Sequence, residues 1–488
     1  MSDERPVFTR PQPGSYRYDR FFAGGKWLQA QGDETNAVFD AATEEEIGST
    51  RSASLEDIDV AVAAASEAFE SWRLTPAPER AAHLRRLRDV LHGRSAELAS
   101  VIASEVGTAA RMSLIIQVDS AIDLLGVTAD LLESERFEEE AGNSTVIWEP
   151  VGVVAAITPW NYPLFQTMGK VAGALAAGCT VVHKPSEMAP LSTFILAESI
   201  EAAGLPAGVY NLVPGRGRVV GEALATHPKV AMTSFTGSTA AGRRVYELGA
   251  RTIKRVALEL GGKSASVILD DEGLDLERAV KSTVNRAFLN SGQTCDAWTR
   301  LLVPKRLLGD VNDLAVDSAA RLVVGDPFAE GTRLGPVISE NQRTSVRGYI
   351  DGALAAGADL VTGGSDAPEG YERGHFVKAT VLSGVTPDMR VAQEEVFGPV
   401  LVVMAYEGED QAAAWSNATE YGLSGAVWAG DDVHAMAFAR RMETGQVVLN
   451  GGRFNPLAPF GGFKQSGVGR ELGAYGIREF LEPKAYQH

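Results

Sequence analysis

The chain has 488 residues, beyond the ~250–300 at which single cores divide into domains, so two or three domains are expected. Apolar residues are 45% and charged residues 22% of it, as in globular proteins with buried cores. The net charge is −18 with no basic stretch to track a phosphate backbone, which argues against nucleic acid and anionic membrane as partners.

The opening segment Met1–Phe8 is charged and has no apolar run behind it, so it does not read as a secretory signal. The longest apolar runs, such as Val171–Val182, fall short of the ~18 residues of a membrane span. Leu55–Trp72 and Ala81–Val106 repeat apolar residues at helical spacing, after a short strand-rich lead-in.

Short apolar, β-rich runs then recur at Gly152–Thr158, Cys179–Lys184, Gly208–Pro214, Val230–Thr236 and Arg255–Leu260. Helical patterns separate them at Pro163–Ala177, Leu191–Ala203, Val219–Thr226 and Ala240–Leu248. Continuous apolar strands are buried on both faces, and strand–helix alternation predicts a doubly wound parallel sheet. Such sheets bind ligands beyond the carboxyl ends of their strands. A second α/β region, about Lys263–Lys464, carries strand candidates at Ser264–Leu269, Leu301–Pro304, Val400–Tyr406, Gly425–Trp428 and Val447–Asn450. The tail after Gly473 and the alternating stretch Ser144–Glu149 suggest strands that add to a partner's sheet.

The only cysteines are Cys179 and Cys295, which give no disulfide framework and no zinc spacing. The histidines show no ligand pattern, so no metal is expected and a reducing cytoplasm is the natural location. Cys179 lies in an apolar run and reads as core. Cys295 ends Asn290-Ser291-Gly292-Gln293-Thr294-Cys295, a polar turn in which a thiol could be a nucleophile or another buried cysteine. Two glycine patterns are decoys. Gly237–Gly242 has P-loop spacing, but Arg243-Arg244 follows where Lys-Ser/Thr is needed. Gly215–Gly221 is one residue too long for a dinucleotide fingerprint.

The cysteine segment resembles that of the aldehyde dehydrogenase superfamily, and Leu258–Ser264 resembles its glutamate motif at the usual separation. Thr158–Pro163, Lys184–Glu187, Phe235–Thr239, Glu394–Pro399 and Pro459–Lys464 match further motifs in the family's order. The resemblance implies a Rossmann-like cofactor domain (1–131 and 151–262), an α/β catalytic domain (263–465) and a small β oligomerisation flap (132–150 and 466–488). It implies an NAD-dependent enzyme that oxidises an aldehyde to the acid, usually as a homodimer or homotetramer. Cys295 would be the nucleophile, Asn161 the oxyanion donor beside the Cys295 N–H, and Glu259 the base that hydrolyses the thioester. Lys170 and Glu471 match a proposed proton relay, or form an ordinary buried ion pair. Thr158, Pro159, Trp160, Lys184, Ser186, Glu187, Gly217, Gly237, Ser238, Gly242, Leu260, Glu395 and Phe397 would hold the cofactor. Glu187 would accept from a ribose 2′-OH and repel a 2′-phosphate, favouring NAD over NADP.

This sequence departs from the common pattern at two places. Asp296 follows the nucleophile where a small or apolar residue is usual; it would raise the thiol pKa, favour a cationic aldehyde, or turn into its own loop. Gly169 stands where a bulky aromatic is common, which suggests a roomier tunnel. The rival enzyme reading is a CoA-acylating relative, against which Glu259 argues. The non-enzymatic rival is a structural protein on this fold, against which the joint presence of Cys295, Glu259 and Asn161 argues.

Overall fold

The residues Ser54–Asp57 close a reciprocal capping box, and the helix they start, Leu55–Trp72, buries Ile58, Ala61, Val62 and Ala65 on one stripe. In this computed structural model, which describes residues 6–488, that helix covers one face of the first sheet through the strands Thr180–Lys184 and Tyr210–Leu212. The charged lead Met1–Arg5, on which part of the N-terminal reading rests, lies outside the described residues. The single helix expected over Ala81–Val106 is two, Ala77–Gly93 and Ser95–Val106. Arg94 leaves the helical region (φ −111°) and ties Glu97 and Glu198 with its guanidinium.

The first sheet has eight strands. Its centre is parallel, in the order Arg255–Glu259, Met232–Thr236, Val153–Ile157, Thr180–Lys184, Tyr210–Leu212. Antiparallel edges are added by Gly467–Val468 on one side and by Arg20–Ala23 with Lys26–Gln29 on the other. The chain runs outward from Val153–Ile157 in one direction, then returns to place Met232–Thr236 on its other flank. The strand order therefore reverses there, and the crevice where ligands bind opens beyond Ile157 and Thr236.

The second sheet runs Asp359–Thr362, Thr380–Ser383, Val400–Tyr406, Arg300–Pro304, Ala265–Ile268, Gly425–Trp428, Val448–Leu449. It is parallel except for the pairing of its first two strands, which the sequence reading did not include. Glu138–Ala141, Ser144–Pro150 and Leu481–Gln487 form a separate antiparallel sheet whose outer strand is exposed throughout.

Ala110–Ser134 is 25 residues long and, by length and composition alone, apolar enough to span a membrane. Half of its apolar window is buried inside the protein, where Val118, Ala121, Leu125 and Ala129 join the largest core cluster.

Candidate active site

The strand ends carry the chemistry. Ile157 pairs with Lys184 and with Phe235, and Thr236 pairs with Glu259, so the segments that follow these strands converge on one crevice. A cavity of about 240 Å³ there is lined by Pro159, Trp160, Asn161, Thr236, Gly237, Ser238, Leu260, Gly261, Cys295, Gln342, Glu395 and Phe397. Nine of the residues singled out from sequence thus share one cavity: Pro159, Trp160, Asn161, Gly237, Ser238, Leu260, Cys295, Glu395 and Phe397.

The Cys295 loop is held by a buried polar network. Asn290, Ser291 and Gly292 all have positive φ (52°, 56° and 73°), making a left-handed turn. A Cβ on Gly292 would collide with the Gly398 carbonyl, so only glycine fits. Gln293 ties the turn down: its Nε2 donates to the Asn290 carbonyl at 3.2 Å and its Oε1 accepts from the Ile338 N–H at 2.8 Å. The Asn161 carbonyl accepts from Gln117 Nε2 (3.1 Å) and Asn290 Nδ2 (2.9 Å), while Asn161 Nδ2 donates to the Gln293 carbonyl at 3.0 Å. An amide nitrogen has a second N–H, which leaves a donor beside the thiol. The Tyr162 hydroxyl bonds the Thr294 hydroxyl at 2.8 Å.

Cys295 is partly exposed at the cavity wall. Enclosure by protein pushes its thiol well above the ordinary range, and the carboxylates of Asp296, Glu395 and Glu259 push it further; Arg286 opposes them. Asp296 is buried and ion-paired with Arg286 from the helix Leu276–Ala287. Its charge is therefore matched across the turn rather than held open for a cation.

Glu259 is buried, and neither carboxylate oxygen has a partner among the described residues. Burial first, and the nearby Glu471 second, push its pKa well above the usual carboxylate range. Lys170, also buried, forms an ion pair with Glu471. Gly169 does not open a tunnel. A Cβ there would lie 2.9 Å from Glu471 Oε2, so the missing side chain makes room for that carboxylate.

On the cofactor side, Ser238 caps the helix Thr239–Gly249 by accepting from the Ala241 N–H. A Cβ on Gly237 would press on the Phe235 ring at 2.6 Å, and one on Gly242 would collide with Leu260; Gly242 packs the helix and does not face the cavity. Thr236 Oγ1 is buried on the cavity wall, without a partner among the described residues. Glu395 accepts from the Gly262 N–H at 3.0 Å, and burial raises its pKa to about 7. Phe397 sits at φ 54°, edge-on to Trp160 with ring centres 5.3 Å apart. Gln342 Nε2 donates to the Phe397 carbonyl at 2.8 Å and so holds that strained residue.

Lys184 and Glu187 pair at 2.9 Å. Burial lowers the Lys184 pKa; it opposes the Glu187 charge too, but Lys184 outweighs it and holds that carboxyl below its ordinary value. Glu187 lines a second, larger cavity of about 510 Å³, whose rim includes Arg216, and Gly217 lies against Lys184. Two residues turn away from these cavities. The Thr158 hydroxyl meets His183 Nε2 at 2.8 Å, and the Ser186 hydroxyl accepts from the Met188 N–H. Gln117, Arg286 and Gln342 carried no signal in the sequence, since what each one holds is fixed only by the fold. No cluster of metal-binding side chains occurs among the described residues.

Two parallel-sheet units with a cysteine turn at the strand-end crevice define a thiol-bearing α/β protein, and comparison with known proteins places it further. The profile of the aldehyde dehydrogenase family matches residues 27–486, and the chain belongs to that family. A 3-succinoylsemialdehyde-pyridine dehydrogenase from a Pseudomonas species is 44% identical over 96% of this chain and 98% of its own length. Aldehyde dehydrogenase C from Pseudomonas syringae, solved with NAD+ and octanal, is 44% identical; the match covers 97% of this chain and 98% of that one, with a TM-score of 0.95. An aldehyde dehydrogenase from Mycobacterium tuberculosis complexed with NAD+ is 38% identical, covers 97% and 99%, and superposes with a TM-score of 0.94. The fold is the aldehyde dehydrogenase fold.

Proposed function

We propose that this protein oxidises aldehydes to carboxylic acids with NAD as hydride acceptor, through a thioester on Cys295. The observation that carries this reading is the pairing of a cavity-wall thiol with a buried carboxylate, Glu259, that finds no partner among the described residues.

The Cys295 thiol loses its proton and its sulfur bonds the aldehyde carbon, forming a thiohemiacetal. The former carbonyl oxygen becomes an alkoxide, held by the Cys295 N–H and the free N–H of Asn161. NAD, when bound, takes the hydride whose departure from that carbon leaves the thioester. Glu259 then removes a proton from water as its oxygen adds to the thioester carbon. The C–S bond breaks, the acid leaves, and the sulfur regains a proton. Glu259 passes its own proton on toward the buried Lys170–Glu471 pair, whose charges act on it.

The crevice residues fit that cofactor. Thr236 Oγ1 has a lone buried hydroxyl to offer, Ser238 opens a helix end toward the crevice, and Glu395 offers a carboxylate oxygen. Glu187, charged beside Lys184, suits a free ribose 2′-OH better than a 2′-phosphate, which favours NAD over NADP. The NAD+ in the relatives from Pseudomonas syringae and Mycobacterium tuberculosis supports this choice.

The test is NADH formation from aldehydes, with and without CoA. Free acid as product is expected in both cases. Acyl-CoA as the main product would make CoA, not water activated by Glu259, the acyl acceptor and overturn the hydrolytic step.

The same reading assigns cofactor binding to 1–131 and 151–262, catalysis to 263–465, and assembly to 132–150 and 466–488. The exposed edge Glu138–Ala141 and the tail Leu481–Gln487 support assembly into a homodimer or homotetramer through that sheet. Two unpaired cysteines support a cytoplasmic location.

A further inference from the structure

Beside the Cys295 turn lies another cavity, about 390 Å³, large enough for a medium-sized ligand. Its wall includes Arg286, Asp296, Trp298, Arg453 and Phe454. Asp296 directly follows the thiol-bearing residue, so this cavity adjoins the reacting centre. The ring of Phe454 on this wall meets Phe165 edge-on, with centroids 6.4 Å apart.

The charges of this wall do not cancel. Asp296 is the only acidic residue on it and is already paired with Arg286. Arg286 keeps its Nε buried and without an acceptor among the described residues. Arg453 is exposed and makes no ion pair or side-chain hydrogen bond among the described residues. Two guanidinium groups thus face one carboxylate in a protein whose net charge is −18.

Building on the proposed aldehyde oxidation, we propose that this cavity is a tail subsite for aldehydes that carry a carboxylate at their far end. A carboxylate accepts from Arg453 and from the exposed part of the Arg286 guanidinium, whose side chain is 31% exposed, and guanidinium geometry suits it. A cationic tail meets two like charges.

The experiment compares kcat/KM, read as NADH formation, for hexanal, its ω-carboxylate counterpart and its ω-trimethylammonium counterpart. In the wild type the carboxylate substrate should exceed hexanal by about tenfold or more, chiefly through KM, with the cationic substrate poorest. Arg453→Gln, at an exposed position, should bring the carboxylate-to-hexanal ratio down toward unity. The double variant Arg286→Gln/Asp296→Asn removes both paired charges together and should lower that ratio as well. Hexanal oxidised as fast as its carboxylate counterpart, or a ratio that Arg453→Gln leaves unchanged, would overturn the tail subsite while sparing the oxidation chemistry. No NADH from any of the three would overturn the functional reading itself and the subsite with it.

Discussion

Gly169 and Glu471 share one space: a Cβ on Gly169 would stand 2.9 Å from Glu471 Oε2. The carboxylate could swing aside only by loosening its ion pair with Lys170, and both partners are buried. Gly169→Ala should therefore destabilise the fold by about 1–3 kcal/mol, the usual cost of overpacking. It should also alter the pH profile of turnover, because Glu471 is the main charge acting on Glu259. Urea denaturation and a pH–rate series check the two effects separately. An unaffected stability would mean that Glu471 rearranges freely.

The turn under the thiol is equally intolerant. Gly292 has φ 73° and its Cβ direction is filled by the Gly398 carbonyl. Gly292→Ala should cost several kcal/mol, through a disfavoured backbone and a backbone clash together. Activity should fall more than the folded fraction does, since the Asn161–Gln293 contact that sets the oxyanion donor depends on this turn. Thermal unfolding alongside kcat separates the two losses.

The pH dependence follows from groups held above their ordinary pKa values. Cys295 must lose a proton to attack, and Glu259 must be ionised to act as a base; both are pushed up, burial being the largest cause. The rate should thus rise with pH and flatten only once both are ionised. Stability should move the other way. Glu395, raised from 4.5 to about 7 by burial, binds its proton more tightly in the folded chain. Between those values the unfolded chain holds fewer protons than the folded one, so this group's contribution to stability falls as pH rises. Glu395→Gln should flatten that slope in urea titrations across the same window.

The two thiols should react differently. Burial raises Cys179 to about 12, and its sulfur lies against the Phe480 carbonyl in the core; Cys295 meets the cavity. Iodoacetamide should modify Cys295 alone in the native protein, and Cys295→Ser should lose both the labelling and nearly all turnover. Labelling of Cys179 at a similar rate would contradict the burial argument.

Much of this arrangement was legible in the sequence because it is periodic or local. The helix Pro163–Ala177 and the strand Val400–Tyr406 have the limits their apolar spacing indicates. The strand-end motifs lie where a doubly wound sheet must place them. What the sequence hid depends on distant partners. Asp296 could not be read as paired without knowing that Arg286 ends a helix beside it, nor Gly169 as making room for Glu471 from the chain's far end. The strands Asp359–Thr362 and Thr380–Ser383 went unread because they are short, and the first has only one strand neighbour. The break at Arg94 was masked by helical spacing that continues through it.

The division of labour between Cys295 and Glu259 is tested most directly by mass spectrometry of Glu259→Gln mixed with NAD and an aldehyde. The account expects one burst of NADH and an acyl group on the peptide containing Cys295, lost slowly because no base activates water. An unmodified Cys295 during a burst, or an undiminished steady-state rate in this variant, would contradict it.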